Sequence, residues 1–204
     1  MDLQQFWDLL YQNIIDTSIL EVIAVIFGLL SVWYSKKVNI LVYPTGIISV
    51  VIYVYICLGA KLYADMGINF VYFVMSIYGW YMWTRKDQNR KVRPISMCTK
   101  KEHLINIGMF VFFFLGLSYI LTNFTDSNVP IWDSLTTAIF IVGMWLMAMK
   151  KVENWLLWIV GDIISIPLYF YKGLVLTSLQ FTIFLVIAIA GYYAWKAKLE
   201  TENA

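Results

Sequence analysis

The sequence predicts an all-α integral membrane protein of seven transmembrane helices, set out as three, one and three, with the two triples forming a parallel repeat. Three observations carry this expectation. Of 204 residues, 61% are hydrophobic and 14% charged, where a soluble domain has roughly a quarter charged. Seven stretches approach the ~20 apolar residues that cross a bilayer's hydrocarbon. A pattern of glycine, lysine and asparagine is also written twice.

Residues 1–17 contain Asp2, Asp8 and Asp16 and no basic residue. A secretory signal begins with positive charge, so this stretch reads as an extracytoplasmic amphipathic lead-in. The spans follow at about 18–34, 40–58, 66–84, 104–122, 132–149, 154–171 and 175–195. Barrel strands would be about half as long, so a helix bundle is expected. The expected organisation is a first three-helix repeat over 18–84, then a basic cytoplasmic loop plus a linker helix over 85–131. A second repeat covers 132–196, and a cytoplasmic tail covers 197–204.

Orientation follows from lysine and arginine, which collect on the cytoplasmic side. Lys36 and Lys37 follow the first span, seven basic residues fall in 85–101, Lys150 and Lys151 follow the fifth span, and Lys196 and Lys198 follow the seventh. The opposite side carries Lys61 and Lys172. In the bacterial cytoplasmic membrane the amino terminus is therefore expected outside and the carboxy terminus in the cytoplasm.

The repeat is legible at two offsets. Shifting 28–46 by 115 places Gly28 on Gly143, Lys36 on Lys151, Asn39 on Asn154 and Gly46 on Gly161. Gly79-Trp80-Tyr81-x-Trp83 recurs as Gly191-Tyr192-Tyr193-x-Trp195 at a shift of 112. Three spans return a chain to the wrong side for a directly repeated copy; the fourth restores the orientation. The shared residues are expected to be scaffold, with Asn39 and Asn154 as helix N-caps. Trp33, Trp83, Trp132 and Trp195 are expected to be interface anchors.

Polar side chains inside spans are costly and mark function. Trp155, Trp158, Asp162, Ser165 and Tyr169 recur at steps of three or four, which puts them on one helical face. At the 115 shift their counterparts are Ile40, Tyr43, Ile47, Val50 and Val54, so the polar decoration belongs to the second copy alone. Asn69, Tyr72, Ser76, Trp80 and Trp83 form a stripe on the third span, and Gln180 begins one on the seventh. Aromatic faces with a few hydrogen-bonding groups match a flat ligand with polar edges, and tryptophan favours a ring bearing positive charge.

These motifs resemble the PnuC family of bacterial vitamin transporters. The resemblance rests on Lys36-Lys37-Val38-Asn39 followed by Pro44-Thr45-Gly46, on Tyr78-Gly79-Trp80-Tyr81-x-Trp83, and on Asn154-Trp155-x-x-Trp158-x-x-x-Asp162. It spans about Glu21 to Trp195, and the layout is like that of the SWEET sugar transporters. The resemblance implies uptake of nicotinamide riboside by facilitated diffusion, trapping by cytoplasmic phosphorylation, and a homotrimer. It places Trp155, Trp158 and Asp162 at the substrate, with Asn154 adjacent; depth and face add Asn69, Gln180 and Tyr169. Thiamine is likewise a cationic aromatic vitamin, and an intramembrane carboxylate such as Glu21 or Asp162 can relay protons.

Enzymatic chemistry is not expected. His103 lies at a span end, and Asp162 has no second mid-span aspartate to share a proton. Cys57 and Cys98 lie in different environments, so neither a disulfide nor a metal site is expected. No cofactor or nucleic-acid partner is expected; the lipid bilayer is.

Overall fold

The computed structural model describes residues 3–59, 62–86 and 92–203. Asp2, Lys61, Arg90 and Lys91, used above for the lead-in and for orientation, lie outside the described residues. The named elements of the described chain are all helices, with two isolated bridges between linkers, Lys86 to Val92 and Ser96 to Lys151. Its elements are α1 (Leu3–Asp16), α2 (Ile19–Lys36), α3 (Val42–Gly59), α4 (Tyr63–Thr84), α5 (Lys100–Phe124), α6 (Pro130–Ala148), α7 (Asn154–Tyr171) and α8 (Val175–Asn203).

Six of these, α2, α3, α5, α6, α7 and α8, are long and apolar enough to cross a membrane. The expectation of seven departs from this at α4. That helix has ample length, 22 residues, but Asp65, Asn69 and its tyrosines and tryptophans dilute its apolar content. Two helix ends also differ from expectation. A capping box of Thr99 and Glu102 starts α5 at Lys100. At the other end α8 runs on to Asn203, because the expected tail is rich in good helix formers.

Neighbouring helices define a closed ring. In the first triple α2 packs on α3 and α3 on α4; in the second α6 packs on α7 and α7 on α8. The triples meet twice, α4 against α6 and α8 against α2, which closes the circuit. From outside the ring α5 packs on α6 and α1 on α8. The apolar window of α6 is accordingly 72% buried and that of α2 only 11%.

Local structure recurs between the triples at a spacing of 112 residues. Val38, at φ 55°, corresponds to Lys150, at φ 52°. Each left-handed residue ends a helix in a Schellman turn. Asn39 N–H donates to Tyr34 C=O and Lys151 N–H to Leu146 C=O, both at 2.9 Å. The Trp83 indole N–H donates to Met147 C=O, and that of Trp195 to Ser35 C=O, both at 3.0 Å. Tyr43 meets Trp83 edge-on at 5.3 Å, as Trp155 meets Trp195 at 5.7 Å. Gly79 gives room to the Tyr43 ring, and Gly191 to Trp155.

These recurrences correct the register read from the sequence for 28–46. The contacts repeat at 112 rather than 115, a difference of about one helical turn. Trp155 therefore corresponds to Tyr43, Trp158 to Gly46 and Asp162 to Val50. Two role assignments change as well. Asn39 does accept an N–H, from Leu41 at 2.9 Å. Asn154 is not an N-cap: it is the first residue of α7, and its amide donates back to Lys151 C=O. Trp83 and Trp195 are 4% and 0% exposed and form part of the buried core, so they do not anchor an interface. Trp33 and Trp132 are exposed, and the ammonium groups of Lys36 and Lys37 lie over the Trp33 ring.

Candidate functional site

The ring encloses a cavity of about 1260 Å³. It reaches from Asp126 and Lys172, in the turns at one end of the bundle, to Ser35, Met147 and Trp155. Beyond Trp155 lies a buried cluster of Val42, Trp83, Ile95, Val152 and Trp195 that packs the Lys-Lys end of the molecule. A volume of this size exceeds what a drug-sized ligand needs.

One wall of the cavity is aromatic and comes from the second triple. Trp158, on α7, lies against Phe140 of α6, with ring centroids 5.3 Å apart and planes 25° from parallel. Phe140 stacks on Phe181 of α8 at 5.9 Å, and Phe181 on Tyr169 at 5.0 Å. This continuous set exists because Gly161 has no side chain, so the Phe140 ring occupies the space beside it. Asp162, the next residue of α7, is 1% exposed and lines the cavity. Among the described residues its Oδ2 has no hydrogen-bond partner. A buried carboxylate oxygen without a partner is costly, and a cation entering the cavity would supply a counter-charge.

The opposite wall comes from the first triple and is studded with hydroxyls. Ser31, Ser49, Tyr53, Tyr72 and Ser76 line it. Ser49 donates to Ala24 C=O at 2.8 Å and Ser31 to Val42 C=O at 2.7 Å, which ties α3 to α2.

Six of the seven residues singled out in the sequence line this cavity: Trp155, Trp158, Asp162, Asn69, Gln180 and Tyr169. They do so in different ways. Trp155 is 1% exposed and wedged against Gly191 and Trp195, so it forms part of the floor. Gln180 reaches Gly28 beside Ser49, at the α2–α8 contact. Asn69 donates to Asp65 C=O at 2.9 Å, and Tyr169 lies under the Lys172 ammonium. Asn154 is fully buried away from the cavity.

The reading of the sequence missed Phe140 and Phe181. Phenylalanine in an apolar span carries no polar signal, but Asp133, Thr136, Thr137, Phe140, Met144 and Met147 form one stripe of α6 along the cavity. The threonines at the head of that stripe were the available clue.

Residues 18–197 match the family model described as nicotinamide mononucleotide transporter. The chain is 30% identical over 205 residues to the nicotinamide riboside transporter PnuC of Escherichia coli, covering 88% of this chain and 86% of that protein. It belongs to the PnuC family. The PnuC of Neisseria mucosa is 27% identical, covering 85% of this chain and 70% of its own. The riboflavin/roseoflavin transporter RibM of Streptomyces davaonensis is 24% identical over 136 residues, 63% of this chain and 62% of its own. A crystal structure of the vitamin B3 transporter PnuC superposes with a TM-score of 0.72 at 28% identity, covering 89% of this chain and 82% of the other. Membership in the PnuC family thus joins a ring of apolar helices around one large cavity.

Proposed function

We propose that this protein carries nicotinamide riboside across the bacterial cytoplasmic membrane. The observation that carries the reading is the buried Asp162 Oδ2, without a hydrogen-bond partner among the described residues, beside the Trp158–Phe140 stack, in a chain whose PnuC relatives are named for this nucleoside. The nicotinamide ring of the riboside is a flat cation. An aromatic wall attracts such a ring through its quadrupole, and the carboxylate balances its charge. Trp155, Tyr169, Gln180 and Asn69 complete the site, with Asn154 holding the start of α7.

Seven spans are proposed, with α4 as the third, in a SWEET-like three-plus-one-plus-three parallel repeat. The recurrence of turns, indole hydrogen bonds and ring contacts at 112 residues supports it. The amino terminus lies outside and the carboxy terminus in the cytoplasm, by the distribution of lysine and arginine. The organisation into a lead-in, two repeats, a linker and a tail follows. In this orientation the cavity mouth at Asp126 and Lys172 is extracytoplasmic, and the Trp83–Trp195 cluster closes the inner end.

Transport then proceeds by the two triples rocking about the cavity, as facilitated diffusion with cytoplasmic phosphorylation retaining the product. The chain acts as a carrier, not an enzyme, and assembles as a homotrimer. Uptake of nicotinamide riboside, thiamine and riboflavin into proteoliposomes, with and without a proton gradient, tests these points. Saturable uptake of nicotinamide riboside without a gradient is expected. Preference for another vitamin overturns the substrate, and dependence on the gradient indicates proton coupling through Glu21 or Asp162.

A further inference from the structure

We propose that Ser31, Gly46 and Ser76 form a hydroxyl-lined subsite for the sugar of a ribosylated ring cation, facing the wall on which the ring stacks. This rests on the cavity being the substrate site, and it divides that site between the two triples.

At the 112 register, equivalent positions of the two triples carry different side chains. Ser31, Gly46 and Ser76 correspond to Gly143, Trp158 and Ala188. In the second triple the Trp158 indole lies against Gly143, with its Nε1 3.7 Å from where a Cβ would sit. In the first triple the glycine has changed helix. The Ser31 Oγ lies 2.9 Å and the Ser76 Oγ 3.9 Å from the Cβ position of Gly46. Where one triple offers the cavity an indole, the other offers two hydroxyls converging on bare backbone. All three residues line the cavity.

A second observation points to a ligand at this place. One turn along α3 from Gly46, Tyr43 is 1% exposed and also lines the cavity, and its hydroxyl has no hydrogen-bond partner among the described residues. Its ring rests on Gly79, one turn along α4 from Ser76. The Ser31 and Ser76 hydroxyls therefore flank Gly46, and the Tyr43 hydroxyl lies about one turn away along the same wall, against Gly79.

Their polarity favours a polyol. Ser31 gives its proton to Val42 C=O, which leaves its oxygen free to accept a bond from an incoming O–H. Tyr43 and Ser76 can donate or accept. A sugar offers donors and acceptors on adjacent carbons and meets both demands. A methyl group meets neither and leaves the buried hydroxyls unpaired.

Titration calorimetry on the full-length protein with nicotinamide riboside and with 1-methylnicotinamide tests the assignment. The second probe has the same cationic ring, with methyl in place of ribose. Tighter binding of the riboside to the wild type is expected. Ser76→Ala and Gly46→Ala should each weaken the riboside by about tenfold and leave 1-methylnicotinamide within about twofold. Ser76→Thr, which keeps the hydroxyl, should retain affinity for the riboside. Trp158→Ala should weaken both probes.

Equal wild-type affinity for the two probes overturns the subsite. So does unchanged riboside affinity in Ser76→Ala, or equal losses in Ser76→Ala and Ser76→Thr, which would mark Ser76 as packing. If 1-methylnicotinamide binds below detection, the Ala and Thr variants with the riboside decide alone. A wild type that binds neither probe refutes the proposed function itself, a different outcome from any of these.

Discussion

Trp155 and Trp158 lie one turn apart on α7 and are matched by the same motif, yet the structure separates their work. Trp155 is sandwiched between Gly191 and Trp195 and has a structural counterpart in Tyr43. Trp158 faces the cavity, and glycine stands at its counterpart position. Trp155→Ala should therefore unfold the protein readily, at a cost of about 3–5 kcal/mol, as for other large-to-small core substitutions. Trp158→Ala should keep most of the stability and lose about 1–3 kcal/mol of ligand binding, by analogy with base stacking. Thermal melts and titrations on the two variants check this; equal loss of affinity at unchanged stability would contradict it. Asn154, held to Lys151 C=O and off the cavity, shows why a motif residue need not be a ligand contact.

Among the elements, the segment before α5 is the least expected from the sequence, where it read only as a basic topogenic loop. Residues 92–99 run along the α6–α7 turn. Ser96 N–H donates to Lys150 C=O at 3.1 Å, and Val152 N–H to Ser96 C=O at 3.0 Å. Ile95 is buried in the core cluster, and Lys151 pairs with Glu102 at 2.8 Å. The Glu153 carboxylate accepts the Cys98 backbone N–H at 2.7 Å. Burial, together with that carboxylate, pushes the Cys98 thiol up to about 12. The thiolate is the reactive form, so at pH 8 maleimide should label Cys98 slowly, and faster as pH rises. Glu153→Gln in a Cys57→Ser background should lower that pKa and speed labelling; an unchanged rate would show that Glu153 does not set it. The glycine contacts give a second test at this scale. A Cβ on Gly191 would sit 2.6 Å from the Trp155 ring, so Gly191→Ala should destabilise by about 1–3 kcal/mol through overpacking, read as a lower melting temperature.

For the whole molecule, the apolar helices and the existence of two copies were legible because hydropathy and glycine spacing are local signals. The register of the first two helices in each copy was not, although the Gly79 and Gly191 motifs gave 112 for the third. Gly28 with Ser49 in the first triple corresponds in place to Phe140 with Gly161 in the second, and Ser31 with Gly46 to Gly143 with Trp158. At both crossings the glycine has moved to the facing helix. Matching letter to letter therefore pairs Gly28 with Gly143 and Gly46 with Gly161, three residues from their structural equivalents. Because three residues are close to a full turn, the wrong register preserves nearly the same faces and raises no conflict in the hydrophobic pattern. The correction leaves Asp162 without an acidic counterpart, but it gives Trp155 an aromatic one.

The anchoring of 92–99 to the α6–α7 turn also bears on how the polypeptide can be divided. Its hydrogen bonds reach residues of the second triple, and Ile95 lies among side chains of both triples. A gene cut between the codons for Lys86 and Val92 would leave this segment and α5 with the second fragment. Each fragment would then carry one side of the α4–α6 and α8–α2 seams, including the two indole donors and their acceptors. Co-expressed fragments 1–86 and 92–204 should reassemble and restore uptake, whereas a cut between Thr99 and Lys100, which divides the Thr99–Glu102 capping box and separates the segment from α5, should restore less. Recovery from both cuts alike would show that the segment need not be continuous with α5.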